Sequence, residues 1–391
     1  MITILAMIFV LAVLIFVHEL GHFLAARSVG VKVERFSLGF PPRLLSFTPL
    51  KDGWLFKLFF FRRNEKGKFD WSPIFERVIS KPLRKSTETE YSIALIPLGG
   101  YVKMAGTIDE SLDNSITGAP YELNSKNRLQ QIWVMSAGVM MNLLLAVLVF
   151  AGLTIMSGIS EFSNEPVVDE LVPGFPAEKV GIQGGDRIVS VNGTPVSTWE
   201  EMNVIISSKP NETIEIRWVR GEEEFSSQLT TRETQTLYNG KPKVVGAMGI
   251  TREYTIRDAG ILESLKVGLV QTGFWLKVIV NTLGMLLTGE ASAKDIGGPI
   301  LIAQMAGQSA RLGFAALLSF LAIISVNLAF INIIPIPGLD GGHILIITIE
   351  SIIRRKLSVK VRIAIQQVGM VFLMLLILFV IYNDISRLFI D

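Results

Sequence analysis

The stretch FVHELGHFLAARS, residues 16–28, places two histidines and a glutamate at the end of an apolar run that starts at the first residue. Residues 1–17 are uncharged, and the sequence around His18, Glu19 and His22 stays apolar as far as Arg27. Ionisable groups inside a membrane-spanning helix cost free energy unless they are paired or bound to a metal. The stretch therefore predicts a helix that crosses a membrane and carries a functional cluster of side chains.

The composition of the chain agrees with a membrane protein. Half of the 391 residues are apolar and only 18% are charged, which is too apolar for an ordinary soluble protein. The net charge of +2 gives no reason to expect a nucleic-acid partner. Because the chain has no cysteine and only three histidines, a transition metal must be bound by imidazole and carboxylate groups.

Apolar segments predict a polytopic α-helical protein with four transmembrane helices, since about 20 residues cross the hydrocarbon core. The predicted spans are residues 1–26, 132–160, 312–343 and 363–383. A further apolar stretch, residues 267–289, contains Lys277 and several polar side chains. We therefore interpret residues 259–311 as an interfacial amphipathic helix and a connector.

The distribution of charge predicts the orientation of these spans. Residues 25–131 contain 17 Lys and Arg against 11 Asp and Glu, whereas residues 161–262 contain 10 against 16. The positive-inside rule then places residues 25–131 and the basic segment 350–362 in the cytoplasm, and residues 161–262 outside. With four spans, both termini are also extracytoplasmic.

Residues 165–252 predict one extracytoplasmic α+β module. The segments PAEKVGI (176–182), GDRI (185–188) and VNG (191–193) resemble a PDZ domain, and GAMGI (246–250) is predicted to form the strand beside its ligand groove. PDZ domains bind extended peptide by strand addition, so peptide or the ends of pre-cleaved substrates are candidate partners. A rigid plug that binds no peptide remains an equal alternative.

The pattern HELGH predicts a zinc site. Residues four apart lie on one face of a helix, so His18 and His22 can bind one ion while Glu19 acts on its water molecule. The alternative is that these groups sit at the membrane edge and hydrogen-bond with headgroups or carbonyl groups. The third metal ligand is predicted to come from INIIPIPGLDGGHIL, residues 331–345. Within this segment Asp340 and His343 are equally suitable zinc ligands on chemical grounds.

The sequence as a whole resembles the bacterial regulator-of-sigma-E protease branch of the site-2 protease family. The resemblance rests on HELGH, on TEYSIALIPLGGYVKMAG (89–106), on the PDZ module and on NIIPIPGLDGGH (332–343). It implies that His18, His22 and Asp340 bind Zn²⁺, that Glu19 is the catalytic base and that Asn332 contacts substrate backbone. Asn142 and Asn327 are interpreted as interhelical hydrogen-bonding residues.

The same resemblance implies a re-entrant β-hairpin at residues 91–104. In the family this hairpin pairs with substrate as an added strand, which makes Gly99, Gly100 and Tyr101 substrate-binding candidates. It also implies residence in the bacterial cytoplasmic (inner) membrane, contact with the lipid bilayer, and single-span membrane proteins as substrates. These substrates would be anti-sigma factors or signal-peptide remnants.

The chain departs from the family pattern in three places. Gly39-Phe40-Pro41 replaces a Gly-x-Gly pair, about 35 inserted residues follow, and the PDZ domain is single rather than tandem. The aromatic and basic insertion is interpreted either as a surface on the inner leaflet or as an ordinary folded hairpin.

The resemblance therefore implies a zinc-dependent intramembrane endoprotease that acts in regulated intramembrane proteolysis. Two alternatives remain at this point. One is a membrane-tethered zinc protease that cuts soluble proteins, and the other is a noncatalytic PDZ adaptor in the membrane.

Overall fold

The computed structural model of the chain describes residues 1–51, 53–63, 69–79, 88–107, 117–238, 241–292 and 296–390. The chain divides into two compact units. One unit comprises Met1–Phe150 and Met285–Asp391, and the other comprises Ala151–Gly284.

The helices and strands are as follows in chain order. The α-helices are α1 (Ile2–Ser28), α2 (Arg128–Ser157), α3 (Pro176–Lys179), α4 (Trp199–Ser207), α5 (Ile261–Thr288), α6 (Pro299–Leu312), α7 (Phe314–Ile333), α8 (Asp340–Ile352) and α9 (Val359–Ile390). The strands are β1 (Val33–Leu50), β2 (Gly53–Arg63), β3 (Phe69–Ile79), β4 (Glu90–Met104), β5 (Ile159–Phe162), β6 (Val168–Leu171), β7 (Arg187–Val191), β8 (Thr194–Pro195), β9 (Thr213–Arg220), β10 (Glu223–Thr230), β11 (Arg232–Tyr238), β12 (Lys241–Ala247), β13 (Ile250–Arg252) and β14 (Tyr254–Arg257).

Within the described residues, five helices are long and apolar enough to cross a membrane: α1, α2, α5, α7 and α9. Of these, α5 is the least apolar. The protein is therefore an integral membrane protein. Four spans, with α5 lying at the interface, stays a prediction.

Helix α6 was predicted only as part of a connector. Its segment is less apolar than the spans, and Pro299 occupies the start of the helix, where proline is well tolerated. The helix packs against α1, and a Cβ atom at Gly307 would overlap the side chain of Thr3. The Asp384 carboxylate of α9 accepts hydrogen bonds from the backbone amides of Gly298 and Ile300 at 2.8 and 2.9 Å, which ties the first turn of α6 to α9.

The predicted third span, residues 312–343, is not one helix. Helix α7 ends at Ile333, and Asp340 begins the separate helix α8. Pro335 and Pro337 cannot continue a helix, and Gly338 adopts a positive φ of 99°. These residues turn the chain so that Asp340 lies in the first turn of a new helix.

The first unit contains a sheet with the strand order β3-β2-β1-β4. Residues 33–38 of β1 pair with both ends of β4: Phe36 lies opposite both Val102 and Tyr91, and Ser37 lies opposite both Tyr101 and Ser92. The predicted pairing of the two arms of residues 91–104 as a simple hairpin is therefore wrong, because residues 33–38 lie between the two arms. Residues 100–104 form the edge of the sheet. The β2-β3 pair is an ordinary folded hairpin, although residues 64–68 and 80–87 of the insertion fall outside the described residues.

The second unit contains a sheet with the strand order β10-β9-β7-β8 and the pairs β6-β13, β11-β12 and β5-β14. Asn192 and Gly193 both have positive φ angles, as a tight turn between β7 and β8 requires. The core of the second unit is apolar and includes Ile188, Ile214 and Trp218. The predicted module of residues 165–252 lies within this unit.

Candidate metal centre

Three ionisable side chains from distant parts of the sequence come together in the first unit. His18 Nε2 and His22 Nε2 lie 3.1 and 3.3 Å from Asp340 Oδ2. The two Nε2 atoms are 3.2 Å apart, and the candidate ligand atoms all lie within 4.8 Å of one another. The structure thus brings together the three residues that the family resemblance implies as metal ligands.

The local sequence explains how each group reaches this point. His18 and His22 are one turn apart on α1 and are both buried. Asp340 lies at the start of α8, where the helix dipole favours a carboxylate. Cβ atoms at Gly341 and Gly342 would overlap the backbone carbonyls of residues 333–336, so only glycine lets the preceding loop lie this close to α8.

Helix α2 forms one wall of the cluster. His22 Nδ1 lies 2.8 Å from the carbonyl oxygen of Val134, and His18 Nδ1 lies 3.1 Å from the side-chain amide of Asn142. Between them, a Cβ atom at Gly138 would be only 2.5 Å from His22 Nε2. Asn142 was interpreted from the sequence as an interhelical hydrogen-bonding residue, and its position beside His18 was missed.

The donor atoms fit zinc. Two imidazole nitrogens and one carboxylate oxygen are a common protein ligand set of catalytic zinc, which leaves a fourth position open. Asp340 Oδ2 is buried and, within the described part of the chain, accepts no well-aligned hydrogen bond. A carboxylate oxygen in this situation needs a positive partner, and a cation bound by these three residues provides one.

Glu19, Asn332 and His343 lie around the three residues without belonging to them. The side-chain nitrogen of Asn332 is 3.5 Å from His18 Nε2. His343 Nε2 is 3.4 Å from the amide nitrogen of Gln366, and it is not part of the three-residue group. Glu19 follows His18 on α1 and lines the same cavity.

This cavity has a volume of about 610 Å³. Beside His18, Glu19 and Asp340, its wall includes the sheet edge from Gly99 to Met104. Glycine is required at this edge, because a Cβ atom at Gly100 would lie 2.7 Å from the Ile15 side chain and 3.4 Å from Cγ of Glu19. Phe40 and Pro41, where the chain departs from the family pattern, also line the cavity.

Charged side chains stabilise the sheet at the mouth of the cavity. Arg35 donates to Glu90 at 2.8 Å and to the Tyr101 hydroxyl at 3.0 Å, and Arg43 donates to Glu90 at 2.8 Å. Burial alone would raise the pKa of Glu90, but the positive charge and hydrogen bonds of Arg35 and Arg43 outweigh it and hold that pKa below its usual range. Tyr101 is therefore fixed at the sheet edge by a charged network.

The apolar helices and the donor set define the protein as an integral membrane protein with a candidate catalytic metal site. A model of peptidase family M50 matches residues 6–63 and 74–376, and the chain belongs to this family.

Curated relatives agree with this assignment. A provisionally named zinc metalloprotease of Clostridium perfringens is 33% identical over 95% of both chains. One from Campylobacter jejuni is 33% identical over 98% of this chain and 93% of its own. The zinc metalloprotease RasP of Bacillus licheniformis is 28% identical over 99% of both chains.

A solved PDZ domain matches about a quarter of the chain. The PDZ domain of an SdrC-like protein from Listeria monocytogenes is 20% identical, covering 24% of this chain and 92% of that chain with a TM-score of 0.19. This TM-score is too low to support a structural argument.

The family match and the relatives' names confirm the family predicted from the sequence and its zinc cofactor. The protease and transmembrane features are also confirmed. The chain is a zinc metalloprotease of the inner membrane, so a noncatalytic adaptor does not describe it.

Proposed function

We propose that this protein is an intramembrane zinc endoprotease that cleaves the membrane-spanning segments of single-span proteins. One observation carries the proposal: three metal-binding atoms lie within 4.8 Å of one another, and two of them come from α1, a candidate span. A protease that acts only on soluble proteins has no need to build its metal site from such a helix, because ionisable groups there are costly.

In this proposal His18, His22 and Asp340 hold the zinc ion. When bound, zinc supplies Lewis-acid polarisation of the scissile carbonyl and of a water molecule. Glu19 takes the proton from the attacking water at its carboxylate and delivers it to the leaving amine nitrogen. Asn332 donates its side-chain amide to the substrate backbone beside the scissile bond.

The sheet edge supplies the second part of the proposal. A helix hides its carbonyl and amide groups in its own hydrogen bonds, so a substrate helix must unwind before it can be cut. Residues 100–104 have strand partners on one side, and their other side can pair with the unwound substrate as an added strand. Gly99, Gly100 and Tyr101 then position the substrate beside Glu19.

The proposed substrates follow from the family resemblance. They are single-span membrane proteins already shortened outside the membrane, of the anti-sigma factor type, or signal-peptide remnants. The PDZ unit binds the ends of such substrates or peptide. In the proposed topology both termini and the PDZ unit are extracytoplasmic.

The test compares Glu19→Gln with the wild type on two substrates, a single-span membrane protein and its soluble domain released from the membrane. We expect cleavage of the membrane substrate to fall by at least about 100-fold, the usual contribution of a general base. Zinc content should stay unchanged. Glu76→Gln, a half-exposed position on β3, is the control.

Two results would contradict the proposal. Cleavage that survives Glu19→Gln removes the proposed base. Wild-type cleavage confined to the soluble domain favours the membrane-tethered protease instead.

A further inference from the structure

The sheet of the first unit has two chemically different faces. Residues directly opposite each other in neighbouring strands share a face. One row across the strands is aromatic and ends in an arginine: Phe36, Tyr91, Phe47, Phe56, Arg77. The adjacent row, on the opposite face, is polar: Ser37, Ser92, Ser46, Lys57, Glu76.

The apolar face starts at the membrane helix α1. The ring of Phe36 lies 5.9 Å from that of Phe16 and 5.6 Å from that of Phe23, both on α1. Phe23 is five residues from the end of the helix at Ser28, or about 8 Å along its axis. This face of the sheet therefore begins within the last turns of a membrane span.

The same face continues outward over the inserted hairpin. The rings of Phe47 and Phe56 are 5.0 Å apart, and those of Phe56 and Phe75 are 6.1 Å apart. Away from α1 the side chains become exposed: 39% for Phe47, 46% for Phe75 and 56% for Ile79. An aromatic surface of this kind is costly in water, since large exposed apolar patches mark contact with a partner or a membrane.

We propose that this aromatic face, defined as Phe47, Trp54, Phe56, Phe75, Arg77 and Ile79, lies in the boundary between headgroups and acyl chains of the bilayer leaflet. Its continuity with the α1 contact identifies lipid as the occupant. Aromatic rings are favoured at this depth, and Arg77 among them matches an anionic headgroup. The insertion is thus both a folded hairpin and a lipid-binding surface.

Because the chain lacks cysteine, single labels can test each face. Ile79→Cys lies on the aromatic face, and Val78→Cys is a matched control on the opposite face, with exposures of 56% and 48% in the native chain. Each full-length variant carries an environment-sensitive fluorophore in nanodiscs with brominated acyl chains. We expect at least twofold quenching of the label at position 79 and little at position 78.

Equal quenching at both positions, or none at position 79, overturns the proposal. A label at position 79 that is shielded from aqueous iodide but not quenched by lipid points to a protein partner, such as a second copy of the chain, and also overturns it. Exchanging phosphatidylcholine for phosphatidylglycerol should deepen the quenching, and Arg77→Gln should abolish this dependence. If the dependence persists in that variant, Arg77 is not the headgroup ligand.

A second inference, which rests on the proposed zinc ligands, concerns Asn142. This side chain is fully buried, and its Oδ1 atom has no hydrogen-bond partner within the described residues while its Nδ2 atom faces His18 Nδ1. The oxygen and nitrogen of an amide are assigned from their hydrogen bonds. Exchanging them lets Oδ1 accept the Nδ1–H of His18 at 3.1 Å.

The protonated nitrogen of His22 is likewise assigned from its hydrogen-bond partner. His22 Nδ1 faces the carbonyl of Val134 at 2.8 Å, and a carbonyl can only accept, so the proton is on Nδ1. In both rings the hydrogen bond to α2 leaves the lone pair on Nε2, which points toward Asp340. We infer that Asn142 is a positioning residue that fixes the tautomer and orientation of His18 as a metal ligand.

The test measures zinc affinity of the full-length protein by competition with a chelator. Asn142→Leu removes the acceptor and should weaken zinc binding by about 10- to 100-fold, the usual effect of a group that orients a ligand. Asn142→Asp keeps an acceptor and should retain zinc binding. Ser325→Ala is the control, because Ser325 donates to the main-chain carbonyl of Asn142 at 2.7 Å and does not reach His18.

Wild-type zinc affinity in Asn142→Leu, or equal loss in both Asn142 variants, overturns this inference while leaving the proposed function intact. Asp340→Asn separates the two ideas. If zinc binding survives that substitution, the proposed ligand set itself is wrong.

Discussion

The candidate metal centre of the first unit buries polar side chains, whereas the core of the second unit buries apolar ones. In the first unit the candidate metal centre is polar, with His18, His22 and Asn142 buried, although the same unit also buries apolar side chains such as Leu321. On α9, apolar side chains such as Leu375 are more than half exposed. In the second unit the core is apolar, as Ile188 and Ile214 are fully buried. The difference follows from the solvent, since lipid accepts apolar side chains and water accepts polar ones.

The comparison shows which type of residue indicates the buried interior of each unit in the sequence. In a lipid-facing helix the rare polar residue marks the interior and therefore the site. Among the strands and short helices of the second unit, an apolar residue marks the interior and therefore the fold. A buried polar group inside a candidate membrane span is thus the stronger indication of a functional residue.

Gly138→Ala should have the largest effect, because it adds a methyl group inside the polar centre. The new Cβ atom would lie 2.5 Å from His22 Nε2 and 2.6 Å from His18 Cε1, and the hydrogen bonds of both rings to α2 oppose their displacement. We expect zinc affinity to fall by about 100-fold, measured by chelator competition. Gly152→Ala is the control on the same helix, since a Cβ atom there meets nothing within 4 Å; equal losses would refute the steric explanation.

Glu350→Ala removes another buried charge of the first unit. Glu350 is 1% exposed and pairs with Arg128 at 2.7 Å and with Arg362 of α9. Removing one partner of a buried pair leaves the others uncompensated and costs about 3 kcal/mol. Thermal unfolding in detergent should show this loss, with Glu88→Ala, an exposed position, as control. A stability like that of the wild type would mean that the arginines find other partners.

Asp186→Asn makes the corresponding change in the second unit. Asp186 is fully buried and accepts two hydrogen bonds from Arg220 at 2.7 and 2.8 Å. We expect a loss of about 2 kcal/mol, the value of hydrogen bonds to a charged group. Hydrogen exchange of β7 and β9 in the full-length protein measures it; unchanged exchange would show that Arg220 contributes nothing.

The same carboxylate predicts a pH dependence. Burial raises the pKa of Asp186, but the hydrogen bonds and charge of Arg220 outweigh it and lower the pKa below the usual 3.8. The unfolded chain then binds more protons than the folded one in this window, so stability is complete above about pH 4 and falls as pH falls through the folded-state pKa. Asp186→Asn should lack this dependence in hydrogen exchange.

Thr198→Ala should have the smallest effect, since it affects only one helix end. Thr198 and Glu201 form a capping box at the start of α4. Loss of such a cap costs about 1 kcal/mol, seen as faster hydrogen exchange of α4. Thr198→Ser keeps the oxygen and should behave like the wild type; a loss of the same size in both variants would point to the methyl group instead.

The candidate site was accessible from sequence because its chemistry is encoded in short motifs. His18 and His22 are fixed by helical spacing, and the prolines and glycines of residues 335–342 favour a break in the helix around Asp340. The residues alone did not choose between Asp340 and His343, since both are good zinc ligands. The role of Asn142 could not be predicted from the sequence, because it depends on which side of α2 faces α1.

Long-range arrangement explains the remaining differences in the fold. The family resemblance implied a hairpin at residues 91–104, but local sequence carries no sign that residues 33–38 pair between its arms. Helix α6 lacked a strong apolar pattern, and its contacts with α1 and α9 are made by residues far away in sequence.

The hydrogen bonds of Asp384 couple the last turns of the final helix to the start of the protein. A chain shortened before residue 384 would leave the first amides of α6 without their acceptor in apolar surroundings, at a cost of several kcal/mol. Since α6 packs along α1, truncation at the carboxyl end would loosen the helix that bears both histidines. An intact carboxyl-terminal end of α9 is thus a condition for catalysis at the histidines of α1.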